Sequence, residues 1–402
     1  MNSNLWEIWQ WWWLLPLILS LLGFFLSLWI IVPAPTWSLL PLGVGAPEVS
    51  PWLIALHGIA LLLTLGIYQS WITKTIVICS LLGLILSLVP LAQFPTADRA
   101  FKVEMERVLG TDYLDNIPQK TKALMRSKPL AIADVFRGIP LLEVRIERGI
   151  VFASPDGVDL KLNTYRPLTT GKYPTLIIIY GGAWREGSPD TYEEFNCYMA
   201  AQNYTVIAID YRHAPQYQFP SQLEDVETAL AYISDRAEEL SVDTDKMAIL
   251  GRSAGGHLAS LAAYKQDAIS FKAVINYYGA VNLTDGYYDL PTPDPIDIQT
   301  ILKNFLGGTP EEKPELYEQA SPINYPRPNL PPSLLIYAGR DHLVQAKFGR
   351  QLYDKLTATN NQAVYLEIPW AEHAFDAVFF GVSNQLALYY TERFLASTMS
   401  NE

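Results

Sequence analysis

The chain has 402 residues, of which 50% are hydrophobic and 17% charged, and its formal net charge is −12 at pH 7. A nucleic-acid-binding protein needs a basic surface to neutralise phosphates, and no run rich in lysine and arginine occurs here, so nucleic acid is excluded as a partner. Two cysteines are too few for a disulfide framework, and no Cys and His cluster has zinc spacing, so no metal site is predicted.

Residues 1–97 form an apolar region in which only Glu7, Glu48 and Lys74 are charged. The region contains three long uncharged stretches, each at or above the roughly 17 residues that are the lower limit for crossing a bilayer. A signal peptide would begin with positive charge, and residues 1–10 contain no lysine or arginine. The sequence therefore predicts a multi-pass integral membrane region with transmembrane helices at 11–32, 52–68 and 75–92.

The polar and aromatic residues around these stretches indicate an orientation. The tryptophans within 9–13 suit the headgroup layer, where an indole N–H stays hydrated. His57 lies inside the second stretch; a neutral packing residue is the commoner interpretation of one such histidine, and no role is assigned to it. Three basic residues within 98–107 follow the third stretch, against Lys74 alone in the preceding loop, which favours a cytoplasmic C-terminal domain.

The remainder of the chain is typical of an α/β protein. Residues 98–135 predict a helical connector, and residues 142–165 alternate polar and apolar around a Pro-Asp-Gly turn, which predicts a β-hairpin. Residues 136–400 are predicted to form one domain with a mostly parallel sheet covered by helices on both faces, and 281–330 an insertion over the strand ends. Short apolar runs predict its buried strands at 175–181, 204–211, 246–253, 272–279, 332–339 and 363–370.

Ser253 follows one of these strands in the sequence GRSAGG and precedes a helical pattern. In a G-x-S-x-G turn between strand and helix, the small residues let the two elements approach closely, and the serine hydroxyl is presented at the helix N-terminus. The alternative is a glycine-rich turn that merely contains a serine. The strand–turn–helix context favours a nucleophile.

A serine nucleophile needs a base, and the base needs an orienting acid. Asp341 and His373 each follow a later predicted strand, and the chain order Ser, Asp, His predicts the catalytic triad Ser253, Asp341 and His373. His257, one helical turn after the serine, is expected to pack or to hydrogen-bond locally. The competing acids are Glu372 and Asp376, and the competing bases are His213, His257 and His342.

The sequence YGGAW (180–184) follows the first buried strand of the domain. Adjacent glycines let backbone N–H groups point at a carbonyl oxygen, and the N–H of Ala254 would complete an oxyanion hole. A plain glycine turn is the alternative.

Together, these motifs resemble those of the α/β-hydrolase superfamily, specifically its hormone-sensitive-lipase-like and BD-FAE-like carboxylesterases, over residues 130–398. YGGAW is similar to their HGGGW-type oxyanion motif, and DYRHAP with FPSQLEDVETAL to their second fingerprint; GRSAGGHLA, AGRDHLV and EHAFD resemble their nucleophile, acid and base loops. The resemblance implies the α/β-hydrolase fold and ester hydrolysis through an acyl-enzyme, without a cofactor. It also implies the triad Ser253, Asp341 and His373, with oxyanion donors Gly182, Ala183 and Ala254.

The chain departs from this pattern at two positions. Tyr180 replaces the first histidine and is expected to hold the loop by hydrogen bonding instead, and Ala183 replaces the third glycine. An alanine can still donate its N–H if its backbone angles remain allowed. Arg212 is expected to pair with an acid such as Asp225, and Trp184 is a candidate for lining the substrate pocket, with simple packing as the alternative.

The sequence as a whole predicts a membrane-anchored serine esterase that acts on a small-molecule or lipid ester. An amidase or acyltransferase is the first alternative, because the same acyl-enzyme can arise from an amide or be resolved by another acceptor. A binding protein on a hydrolase fold is the second alternative, and a broken triad would favour it.

Overall fold

The computed structural model describes residues 12–65, 71–265 and 270–400. Trp9 and Trp11 of the tryptophan cluster and the end of the predicted second transmembrane stretch, 66–68, lie outside the described residues. The described chain forms a group of apolar N-terminal helices that packs against a larger α/β domain. The N-terminal helices are α1 (Leu14–Leu28), α2 (Leu40–Glu48), α3 (Ser50–Thr64) and α4 (Trp71–Leu109).

Helices α1, α3 and α4 pack side by side through faces that carry small or polar residues. Gly23 and Ser27 of α1 are buried, whereas Leu22 and Phe25 are about half exposed. A helix in water buries its large apolar side chains, so this reversed distribution is typical of helices surrounded by lipid. Helix α4 has the same pattern, with Ser80, Gly83 and Ser87 buried and Ile78, Leu81 and Ile85 exposed.

Among the described residues, α4 is the one helix that is long and apolar enough by itself to cross a membrane. Helices α2 and α3 reach that length only as a pair, bent by 79° where they meet, and α1 has 15 residues. The structure therefore supports one of the three predicted transmembrane helices, and the three-helix arrangement stays a prediction. Helix α4 continues without a break to Leu109, so the predicted third stretch and the start of the predicted connector are one helix.

The predicted β-hairpin and parallel strands are confirmed, with small shifts at their ends. Within the described residues the sheet has eight strands in the order β1-β2-β4-β3-β5-β6-β7-β8. Strands β1 and β2 pair antiparallel, as do β2 and β4, and β3 to β8 are parallel. The strands are β1 (Arg145–Ala153), β2 (Leu160–Arg166), β3 (Tyr173–Ile179), β4 (Thr205–Ile209), β5 (Val242–Arg252), β6 (Ala273–Tyr277), β7 (Ser333–Ala338) and β8 (Ala363–Ile368).

Both faces of this sheet are covered. Every residue of β4 and β6 is buried, and successive side chains of a strand point to opposite faces, so neither face is open to solvent. The helices that follow α4 are α5 (Gln119–Leu124), α6 (Ile132–Arg137), α7 (Glu193–Ala201), α8 (Ser221–Asp235), α9 (Ala237–Leu240), α10 (Ala254–Lys265), α11 (Leu283–Tyr288), α12 (Ile298–Leu306), α13 (Pro314–Gln319), α14 (Ala346–Ala358) and α15 (Val382–Ser400).

The N-terminal helices are joined to the α/β domain by packed aromatic rings and by polar contacts. The ring of Phe94 on α4 lies 5.9 Å from that of Trp370. The hydroxyl of Tyr390 donates to Asp98 Oδ1 at 2.6 Å. The buried carboxylate of Glu48 on α2 accepts from the backbone N–H of Ser383 at 2.7 Å. These contacts place α2 and the second half of α4 against the α/β domain.

Candidate active site

Ser253 lies at the turn between β5 and α10 with φ +52°. A left-handed backbone is strained for a residue with a Cβ, and a conformation of this kind is held only by its surroundings. The Ser253 N–H donates to the Tyr277 carbonyl at 2.9 Å, which ties the turn to β6. A side chain on Gly251 would collide with the backbone of Gly255, and a side chain on Gly255 would collide with the carbonyls of Ile179 and Tyr180 at the end of β3. The start of α10 can therefore approach both strands this closely only because both residues are glycine.

The structure brings the three predicted triad side chains together. His373 Nε2 lies 2.9 Å from Ser253 Oγ, and His373 Nδ1 lies 2.8 Å from Asp341 Oδ2. Asp341 Oδ1 accepts from the backbone N–H groups of Leu343 and Val344 at 2.8 and 2.7 Å. The imidazole is therefore held with one nitrogen facing the carboxylate and the other facing the serine hydroxyl. Burial raises the pKa of Asp341, and the charge of His373 opposes that rise.

The competing acid Glu372 faces away from this line. Its Oε1 accepts from the backbone N–H groups of His342 and His373 at 2.7 and 3.0 Å, and its Oε2 lies 2.6 Å from His342 Nδ1. Glu372 therefore joins the loops that carry Asp341 and His373, and its hydrogen bond raises the pKa of His342.

Asp376, the other competing acid, pairs with Arg252, the residue that precedes the serine. Tyr278 also donates to Asp376, and the ring of Tyr278 lies 4.6 Å from that of His373. The guanidinium of Arg252 is fully buried and lies 4.2 Å from the ring centroid of Tyr192. Sequence reasoning missed this network, because nothing in the spacing of the residues points to it.

Both ring nitrogens of the competing base His257 are hydrogen-bonded. Its Nδ1 accepts from the Trp184 indole N–H at 3.1 Å, and its Nε2 donates to the Ala320 carbonyl at 2.6 Å. Burial lowers the pKa of His257 to about 4, so the ring is neutral at pH 7. His257 is therefore a buried packing residue, as one of the two expectations had it, but its hydrogen-bond partners lie 73 and 63 positions away in the chain and are not local.

The predicted oxyanion loop adopts a run of unusual backbone angles. Gly182, Ala183 and Trp184 have φ +138°, +52° and +58°. A side chain on Gly182 would collide with the backbone of Glu186, so this position requires glycine. Ala183 occupies the left-handed region, which an alanine reaches at a cost in strain. Gly182, Ala183 and Ala254 border the same cavity as Ser253, and Ala254 is the first residue of α10, where helical N–H groups have no intrahelical acceptor.

Tyr180 ties the start of this loop to the segment after β4. Its hydroxyl donates to Asp210 Oδ1 at 2.5 Å and lies 2.9 Å from His213 Nε2, and its ring stacks on Tyr211. Burial raises the pKa of Tyr180 well above its usual range and keeps the hydroxyl protonated as the donor. The expectation that this tyrosine holds the loop by hydrogen bonding is confirmed.

Arg212 and Trp184 also lie where the sequence analysis expected. Arg212 Nε lies 2.9 Å from Asp225 Oδ2, which confirms that pairing. Trp184 is buried, stacks on Phe305 at 4.2 Å and borders the cavity, so it both packs and lines the pocket.

The cavity in front of Ser253 has a volume of about 270 Å³ and a mainly apolar lining. Part of its wall comes from the predicted insertion, through Leu283, Ile298 and Leu302. Another part comes from Trp37 and Leu40 of the N-terminal region, which the sequence analysis did not associate with the site. Among the residues that the structure describes, no cluster of three or more His, Cys, Asp and Glu is placed to hold a metal ion.

Comparison with known proteins relates this domain to esterases. Residues 162–356 match the BD-FAE family model. Esterase LipC of Mycobacterium tuberculosis is 32% identical over 227 residues, which cover 52% of this chain and 55% of LipC. The probable carboxylic ester hydrolase LipM of the same organism is 29% identical over 250 residues, which cover 58% of this chain and 56% of LipM. The chain thus spans about half the length of the curated relatives it matches.

Solved structures show the same fold. An esterase of Pyrobaculum calidifontis superposes with a TM-score of 0.56 at 24% identity, covering 70% of this chain and 98% of that one. The thermophilic carboxylesterase EstE1, cloned from a metagenomic library, superposes with a TM-score of 0.55 at 22% identity, covering 77% and 97%. The predicted α/β fold class, a mostly parallel sheet with helices, is confirmed.

Proposed function

We propose that this chain is a member of the α/β-hydrolase superfamily that hydrolyses carboxylic esters through a serine acyl-enzyme, and its similarity to carboxylesterases supports this proposal. The observation that carries the proposal is the continuous hydrogen-bonded line from Asp341 through His373 to Ser253, which ends at an apolar cavity.

The geometry suits a two-step acyl transfer. Ser253 Oγ attacks the ester carbonyl and its proton passes to His373 Nε2, while Asp341 stabilises the imidazolium that forms. The N–H groups of Gly182, Ala183 and Ala254 hold the developing oxyanion. His373 then protonates the leaving alcohol, and a water molecule, deprotonated by the same imidazole, releases the acid and restores the serine.

The membrane region is the second part of the proposal. Helices α1, α3 and α4 anchor the domain to a bilayer as three transmembrane segments, and the domain lies on the cytoplasmic side. The support is the reversed burial in the bundle, with small residues inside and large apolar residues outside, and the basic residues of 98–107 after the uncharged part of α4. An alkaline carbonate wash of membranes tests the anchor, since an integral protein stays in the pellet. Recovery of the chain in the wash would contradict it.

The esterase activity is tested with the full-length protein in detergent and p-nitrophenyl esters of two, four and eight acyl carbons. We expect turnover by the wild type and a loss of about 10³-fold or more in Ser253→Ala. Ser234→Ala, a serine on α8 away from the cavity, is the control and should retain activity. Equal turnover by wild type and Ser253→Ala, or none by either, would contradict the proposal. A p-nitroanilide of the same acyl groups and an added alcohol acceptor test the amidase and acyltransferase alternatives.

A further inference from the structure

Part of the wall of the cavity is built by the N-terminal region. Trp37 and Leu40 lie in the segment between α1 and the start of α2, and both border the cavity that contains Ser253. Ser253 lies more than two hundred residues later in the chain, so this part of the wall belongs to the N-terminal region and not to the α/β domain.

This wall is attached next to the catalytic acid. The guanidinium of Arg340, the residue before Asp341, donates to the Ile31 carbonyl. Two residues beyond Asp341, the side chain of Leu343 packs against the buried cluster of Ala34, Leu40 and Val44. Trp37 and Leu40 are thus part of a segment that is held to the loop carrying Asp341.

The same segment connects the cavity to the outer surface of the helices. Ile31 and Val32, just after α1, are each 42% exposed, and Trp37 is 53% exposed while also bordering the cavity. Trp37 therefore lies at the mouth. Along the chain, residues 29–36 join Trp37 to α1, whose exposed apolar side chains include Leu15, Ile18, Leu22 and Phe25.

The apolar composition of this segment indicates which kind of ester can bind along it. No charged residue occurs between residues 8 and 47, so this segment itself offers a ligand mainly apolar groups and a few hydroxyls, and the neighbouring Arg340 guanidinium is engaged by the Ile31 carbonyl. A soluble, polar ester would gain nothing from this surface, whereas an acyl chain is stabilised by each methylene that it buries. The segment follows α1, whose exposed face the reversed burial assigns to lipid.

We infer that the substrate is a long-chain acyl ester resident in the bilayer, which enters sideways between lipid and domain past Trp37, with Trp37 and Leu40 determining specificity for the acyl chain. This inference rests on the proposed esterase function. The two residues act by binding the chain, and the reacting atoms remain those of the triad.

The test compares a short soluble ester with a long-chain ester embedded in vesicles. Full-length protein reconstituted in phosphatidylcholine vesicles is assayed with p-nitrophenyl acetate and with p-nitrophenyl palmitate, and active sites are counted by labelling Ser253 with a fluorophosphonate. Counting the labelled sites separates misfolded protein from altered specificity. We expect the wild type to prefer the palmitate ester in kcat/KM.

Trp37→Ala should lower the palmitate-to-acetate ratio of kcat/KM by about tenfold, chiefly through KM for palmitate. Trp71→Ala is the matched control, because Trp71 is an equally large, exposed residue of the same helix group that does not border the cavity; its ratio should stay at the wild-type value. Leu40→Trp, which enlarges a side chain in the wall, should shift the preferred acyl length to shorter chains.

The outcomes distinguish this inference from the proposed function. Suppose that acetate hydrolysis depends on Ser253 but the palmitate-to-acetate ratio of kcat/KM is unchanged in Trp37→Ala, or falls equally in Trp71→Ala. Either result would overturn the inference and leave the esterase function in place. Absence of Ser253-dependent hydrolysis of either ester would overturn both.

Discussion

His342 Nδ1 lies 2.6 Å from Glu372 Oε2, so the residue after Asp341, the proposed acid, is hydrogen-bonded to the residue before His373, the proposed base. Oε1 of the same carboxylate accepts from the backbone N–H groups of His342 and His373. The bridge therefore fixes the spacing of two loops that follow different strands, and through them the distance between Asp341 and His373.

This bridge predicts a pH dependence of stability. Glu372 raises the pKa of His342 in the folded protein, while the unfolded value is about 6.5. The stabilising contribution is fully present below the unfolded pKa and is lost as the pH rises through the folded pKa. We expect the midpoint of thermal unfolding to fall more steeply from pH 6 to pH 8 in the wild type than in Glu372→Gln, with His342→Gln flattening the profile in the same way. Parallel profiles in all three proteins would contradict the bridge.

Asp341 and Glu372, the two acids near His373, should differ sharply in their effect on activity. Asp341→Asn removes the carboxylate that faces His373 Nδ1, and we expect kcat to fall by roughly 10³-fold or more. Glu372→Gln changes a side chain that bonds the backbone of the two loops but does not contact the His373 imidazole. We therefore expect kcat to fall less than tenfold. Both are measured with a p-nitrophenyl ester at saturation; a reversed order would show that Glu372 is the orienting acid.

The buried ion pair beneath the serine should matter for stability. Arg252 and Asp376 are almost fully buried, and Asp376→Asn would leave the guanidinium with no opposing charge, at a cost of about 3–5 kcal/mol. Thermal unfolding in detergent measures the loss. Glu239→Gln, which breaks the exposed pair with Arg236, is the control and should leave the midpoint unchanged. A shift of equal size in both variants would refute the role of the buried pair.

The helix bundle depends on two glycines around one histidine. His57 on α3 lies between Gly23 and Gly83, and its Nε2 lies 3.0 Å from Ser27 Oγ. A Cβ on Gly83 would collide with the imidazole, so Gly83→Ala should separate α3 from α4 and lower the unfolding temperature. Gly58→Ala, on the same helix as His57 but with open space at the Cβ, should be neutral or slightly stabilising. Equal midpoints for the two variants would contradict this packing.

Much of the site could be predicted because its residues lie shortly after strands. Ser253, Asp341 and His373 follow apolar runs that predict strands β5, β7 and β8, and parallel strands bring their carboxyl ends to one edge of a sheet. The choice between Asp341 and Glu372 was harder, since Glu372 is adjacent to the base in sequence. It depends on which way a side chain points from its loop, and the hydrogen bonds of both loops decide that.

The length of α4 and the environment of His57 could not be predicted in the same way. Hydropathy marks where an apolar stretch ends, but it does not mark where a helix ends. Helix α4 continues through the charged residues after Ala97, where one face packs on the α/β domain. The environment of His57 comes from two other helices: Ser27 and Gly23 lie on α1, and Gly83 lies on α4.

The sequence by itself determined the alternation of strands and helices and the glycine-flanked turn at Ser253, because each depends on residues close together in the chain. It also placed the three predicted triad residues after strands, although those residues lie far apart in sequence. Only the tertiary structure decided that Trp37 and Leu40 border the cavity of Ser253, because segments so distant in sequence meet through packing that no local pattern encodes. Contacts of that kind also determine that the carboxylate facing His373 is Asp341, and that His257 is the histidine which accepts from the Trp184 indole.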